Sequence, residues 1–86
     1  MYQPCCKSME VACLCWFPTK GQPFPISFKY KDEDGDIHSV KDIDILRTEN
    51  VMQGKEFRCE ALIGDQKRSF ELMFFKDDCR WVLTMK

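Results

Sequence analysis

The stretch Arg68 to Leu83, reading RSFELMFF, KDDC and RWVL, constrains the fold more than any other part of the chain. Phe70, Leu72 and Phe74 alternate with Glu71, Met73 and Phe75. After the polar interruption Lys76-Asp77-Asp78-Cys79, Trp81 and Leu83 resume the alternation. Successive side chains of a strand point to opposite faces, so this is the pattern of two antiparallel strands joined by a polar turn. The rest of the chain reads as strands added around that hairpin. Its second phase, Met73, Phe75 and Val82, is also apolar, and on a one-sided sheet these three would be exposed together. Clustered exposed apolar residues mark interfaces. With Leu14 and Trp16 of an N-terminal strand available as cover, the candidate interface is Met73, Phe75, Val82, Leu14 and Trp16. Either that strand or a second copy in a homodimer must bury it, two-fold dimers being the commonest oligomers.

Upstream, residues 1–9 read as a flexible N-terminal segment and residues 10–86 as a single small β domain. In the stretch 10–17, Val11, Cys13, Cys15 and Phe17 share one face of a first strand, with Ala12, Leu14 and Trp16 on the other. Two prolines and a glycine between positions 18 and 23 mark a loop. Ile26, Phe28 and Tyr30 then alternate with Ser27, Lys29 and Lys31, the signature of a strand with one buried face. Pro23 and Pro25, which lack backbone donors, set its start at an edge or outside the ladder. Asp34-Gly35 predicts a hairpin with a type I′ turn. Ile37, Val40, Ile43 and Ile45 do not keep one phase, which calls for a bulge or bend near Lys41-Asp42, or else a short helix. A loop containing Gly54 follows. Phe57, Cys59, Ala61 and Ile63 form the inner face of the next strand, and a turn from Gly64 leads into the final hairpin. The expectation is an all-β, five- or six-stranded antiparallel meander curled into a small, partly open barrel or roll.

At 44% hydrophobic and 31% charged, the chain has too many apolar residues for disorder. A net charge of -1 supplies no global attraction to nucleic acid or to an anionic membrane. No secretory leader and no apolar run of membrane-spanning length is visible, so cytoplasmic placement and no membrane association are expected.

Six cysteines stand at positions 5, 6, 13, 15, 59 and 79. Cys5, Cys6, Cys13 and Cys15 gather four soft ligands in a short segment, which raises zinc or copper(I) binding, or thiol redox chemistry, as an alternative. Their spacing matches neither a zinc ribbon nor a C-x-x-C redox pair, and apolar or incidental thiols are the preferred reading. The acidic run 32–36 fails as an EF-hand loop: with Gly35 at the sixth position, Tyr30 and Lys41 fall where carboxylates are required. His38, the one histidine, has no acid or nucleophile partner that the sequence can assign. Lys29, Tyr30, Lys31, Arg58, Lys67, Arg68, Arg80 and Trp81 are the residue types of a single-stranded nucleic-acid-binding barrel. Tyr30 and Trp81 fall on core phases, however, and acidic runs lie nearby, so nucleic acid is disfavoured.

Asp44-Ile45-Leu46-Arg47, Phe57-Arg58-Cys59 and the closing Cys79-Arg80-Trp81-Val82-Leu83 resemble a group of small uncharacterised all-β bacterial proteins, over roughly the C-terminal two-thirds of the chain. The motifs are structural, and the resemblance implies no activity and no functional residue. The turn Asp77-Asp78-Cys79 lacks the glycine usual there, and the Cys-rich N-terminus has no counterpart. The expected function is a non-enzymatic module acting through protein–protein contacts, without a cofactor.

Overall fold

The computed structural model describes residues 7–20 and 23–85. Among the described residues there are seven strands: β1 (Lys7–Trp16), β2 (Phe24–Lys31), β3 (Ile37–Val40), β4 (Asp44–Val51), β5 (Gly54–Ile63), β6 (Gln66–Phe75) and β7 (Arg80–Met85). They form one antiparallel sheet in the order β3-β2-β1-β7-β6-β5-β4. The all-β antiparallel expectation holds. The strand count is seven rather than five or six, because the phase break in the 37–50 stretch separates two strands. Asp42 adopts φ 53 there, a left-handed conformation that aspartate tolerates better than most residues. No helix forms at that point.

That short break shapes the molecule. The chain leaves one edge of the sheet at Val40 and re-enters at the opposite edge at Asp44. Four Cα steps span at most about 14 Å, so the sheet curls until its edges approach. It does not close into a barrel: β3 and β4 do not pair, and β3 packs instead against β5. The other non-local step joins the two ends of the chain. Lys7 through Val11 pair with Met85 through Trp81, and Ser8 Oγ and Thr84 Oγ1 lie 3.0 Å apart. β1 thus begins at Lys7, inside the segment expected to be flexible. Residues 1–6, Cys5 and Cys6 among them, lie outside the described residues.

The concave face holds the core: Phe28, Val40, Phe57, Cys59, Ala61, Phe70, Leu72, Phe74, Trp81 and Leu83 are buried, with Met9, Val11, Cys13, Cys15, Tyr30, Ile43, Ile63 and Met85 packed against them. Phe70, Leu72, Phe74, Trp81 and Leu83 are therefore core residues, as their alternation predicts. Ile26 is not. The register shifts from Leu14↔Ser27 to Cys15↔Pro25, leaving Ile26 as the extra residue of a β-bulge. Pro25 and Pro23 take the inward positions instead and are buried.

The β2–β3 turn also differs in type from the one expected. The Gly35 amide donates to the Asp32 carbonyl (3.1 Å), the Asp32 amide donates to the Asp36 carbonyl (2.9 Å), and Gly35 has φ 88. That is a three-residue loop ending in a left-handed glycine rather than a two-residue type I′ turn.

Candidate interaction surface

β1 outruns its neighbour. Its last partner on β7 is the pair Val11↔Trp81, whereas β2 continues beside it to Trp16↔Phe24. The second half of β1 therefore belongs to a two-stranded ribbon that projects past the β6–β7 turn. Leu14 and Trp16 stand on the outer face of that ribbon, 63% and 56% exposed. Phe24 lies opposite Trp16, and Ile26 sits at the bulge beside Leu14's partner Ser27; both are exposed. Phe17 is exposed at the end of the ribbon, its ring edge-on to Phe74 with centroids 6.4 Å apart. Five large, exposed apolar side chains thus stand along this ribbon and at its end.

Met73, Phe75 and Val82 occupy the same outer face but form a separate group. Met73 pairs with Val82, Val82 also neighbours Glu10, and Met73 neighbours Glu56. Phe75 lies under the Arg80 guanidinium, 4.5 Å from carbon to ring centroid. All three are half-buried within this polar surround. From Glu10 to Leu14 is four residues along β1, about 13 Å. Leu14 and Trp16 lie beside that group in one sheet and so cannot cover it, as the hairpin pattern had suggested. Sequence reading missed Phe24 and Ile26. The available signal was the pair of prolines at 23 and 25, which interrupts regular pairing where the bulge occurs.

The inner side of the projecting ribbon faces a cleft lined by Cys13, Cys15, Phe17, Phe74, Cys79, Arg80 and Trp81. Cys13, Cys15, Cys59 and Cys79 are free thiols. Burial pushes the Cys13 thiol up to about 12, helped by the neighbouring Cys15 and Cys59, and burial alone pushes Cys59 up to about 12. Burial thus disfavours the thiolate form of both, the form that attacks as a nucleophile. Cys79 is exposed in the β6–β7 turn at φ 53.

Among the described residues, one group of three or more potential ligands has its ligand atoms within 4.8 Å of one another: Asp32, Asp34 and Asp36. Cys13 and Cys15 belong to no such group. Asp32 is already committed to the turn. Its Oδ1 accepts the amides of Asp34 and Asp36, each at 2.9 Å, and its Oδ2 lies 2.7 Å from Nε2 of His38. The His38 hydrogen bond, with the two amides, holds the Asp32 carboxyl below its usual range. His38 stacks on its cross-strand partner Tyr30, with centroids 5.0 Å apart.

Three of the basic residues named for nucleic acid, Arg58, Lys67 and Arg80, are held in ion pairs. Arg58 meets Glu71 at 3.1 Å, Lys67 meets Glu60 at 3.5 Å and Arg80 meets Asp78 at 3.6 Å. Trp81 is buried and Tyr30 is half-buried against His38, so neither presents a free ring for base stacking. Comparison with protein-family models, with curated proteins and with solved structures returns no match.

Proposed function

We propose that this chain is a small non-enzymatic β module that works through protein contacts, with the projecting end of the β1–β2 ribbon as its contact surface. The observation that carries this reading is the gathering of Leu14, Trp16, Phe17, Phe24 and Ile26 in exposed positions at one end of the fold. Aromatic and branched side chains of this kind supply most of the energy of protein interfaces when a partner desolvates them. Met73, Phe75 and Val82 form a secondary, half-covered part of the same outer face. The chemistry elsewhere supports contact rather than catalysis. The histidine and its carboxylate brace a turn, and the two thiols deepest in the fold are held protonated. Free thiols suit a reducing compartment, which fits a cytoplasmic protein. The curled sheet serves as an open roll from which the ribbon projects.

A photo-crosslinking side chain placed at Leu14 or at Trp16, with a third version at Asp65, exposed in the β5–β6 turn at the other end of the strands, as control, tests the reading in extract of the source cells. The expected result is one defined protein adduct from positions 14 and 16 and none from 65. Equal labelling from all three positions, or none from 14 and 16, overturns it.

A further inference from the structure

The two edges of the sheet are unlike. β3 is four residues long and ends in the buried Val40. β4 is eight residues long, pairs on one side with β5, and among the described residues has no strand on its other side. Seven of its eight residues are exposed. A long open edge offers unpaired amides and carbonyls to any second strand.

The charges along β4 say which strand fits. On the outer face Arg47 stands opposite Arg58, and Glu49 stands opposite Glu56. Like charges directly opposite one another destabilise a sheet. Arg58 is compensated on its far side by Glu71, but among the described residues no ion pair is found for Arg47 or for Glu49. Arg47 and Glu49 share one face of the strand, with Thr48 between them.

Two antiparallel copies of β4 related by a two-fold axis perpendicular to the sheet must keep each face on its own side, so one residue stands opposite its own copy, with the axis midway between them. Centred on Arg47 or on Glu49, it sets like charges opposite one another. Centred on Thr48, it sets Arg47 of each copy against Glu49 of the other and Thr48 against Thr48. Both kinds of pair are favourable across strands.

We propose that a second copy of this chain pairs antiparallel along the free edge of β4, centred on Thr48, to give a two-fold dimer with one continuous sheet. The four interfacial charges then relieve both like-charged pairs that each chain carries alone. A bulge at Leu46, where the register shifts between Ile45 and Arg47, interrupts the edge on one side. It confines regular pairing to the segment that holds the complementary charges. It also discourages extended pairing with unrelated strands. This interface lies at the opposite side of the sheet order from the β1–β2 ribbon and leaves the surface proposed above open.

Sedimentation equilibrium of the whole chain, from low to high micromolar concentration, reads the association directly. Arg47→Glu places Glu against Glu49 of the second copy, and Glu49→Arg places Arg against Arg47. Each variant is expected to weaken self-association about tenfold, two attractive contacts having become repulsive. Within the chain each variant converts a like-charged pair into an opposite one, so the melting temperature of the monomer should hold or rise. An equimolar mixture of the two variants restores both contacts and should associate as the unmodified chain does. A chain monomeric up to high micromolar concentration overturns the proposal. So does association unchanged in both variants, or a mixture that stays as weak as its components.

Discussion

Cys59 illustrates how a residue type with several chemical uses is committed by its surroundings. It is fully buried on β5, opposite Phe70 and Ile45. There the thiol behaves as a small apolar group, and ionising it would place a charge in the core. Burial raises its pKa in the folded state from the ordinary 9.0 to about 12. An acid whose pKa rises on folding contributes its full stabilisation below the unfolded pKa and loses it as pH rises through the folded one. Stability should therefore decline between pH 9.0 and about 12, with Cys13 adding to the same decline. Chemical denaturation across that range, on the natural chain and on Cys59→Ala, checks this: the variant starts less stable and falls less steeply. An equally steep fall would mean that Cys59 is ionised or solvated in the fold. Asp32 behaves in the opposite sense. Its depressed pKa adds stability above the ordinary carboxyl range, and that contribution disappears as pH falls through the folded value.

At the scale of elements, the β4–β5 connection depends on one small residue. A Cβ built on Gly54 would lie 1.8 Å from the Phe74 carbonyl oxygen, which belongs to the backbone of β6 and cannot step aside. The same corner is tied by the Lys76 amide donating to the Gln53 carbonyl at 2.9 Å. Gly54→Ala is expected to cost about 3 kcal/mol, since relief requires moving a strand. Gly35→Ala, where nothing lies within 4 Å, carries only the strain of its positive φ and should cost about 1–2 kcal/mol. Urea unfolding of both variants measures the difference, and equal losses would contradict the close approach of β5 to β6.

This corner shows where the sequence is silent. Gly54 reads there as a loop glycine, and nothing local discloses the carbonyl beside it. The C-terminal hairpin was legible throughout because its alternation is local and its inner phase is uniformly large and apolar. β2 was legible from Ser27 onward but not at Ile26, since a bulge leaves no mark on the hydrophobic pattern beyond the nearby prolines. The break at Asp42 was visible as a loss of phase. Its consequence, moving the chain to the far edge of the sheet, was not.

For the whole molecule the decisive pairing is the least local one. β1 joins β7 between residues at opposite ends of the sequence, and no spacing rule announces such a partner. That pairing, with the offset that lets β1 run on past Val11, explains why Leu14 and Trp16 are open. It also explains why they form their own surface apart from Met73, Phe75 and Val82. Met73, Phe75, Val82, Leu14 and Trp16 were recognisable in the sequence as apolar residues outside the core phase. Their division into two groups depends on strand order. The contact reading therefore rests on one structural claim, that the outer face of the projecting ribbon meets solvent in the free chain.

The two tryptophans separate the outcomes, because Trp81 is only 5% exposed and Trp16 is 56% exposed. Acrylamide quenching of a Trp81→Phe chain, at a concentration where it is monomeric, reads Trp16 alone. The account predicts red-shifted emission and quenching approaching that of free tryptophan, while Trp16→Phe leaves a blue-shifted, shielded Trp81. A shielded, blue-shifted Trp16 in the folded monomer would contradict it.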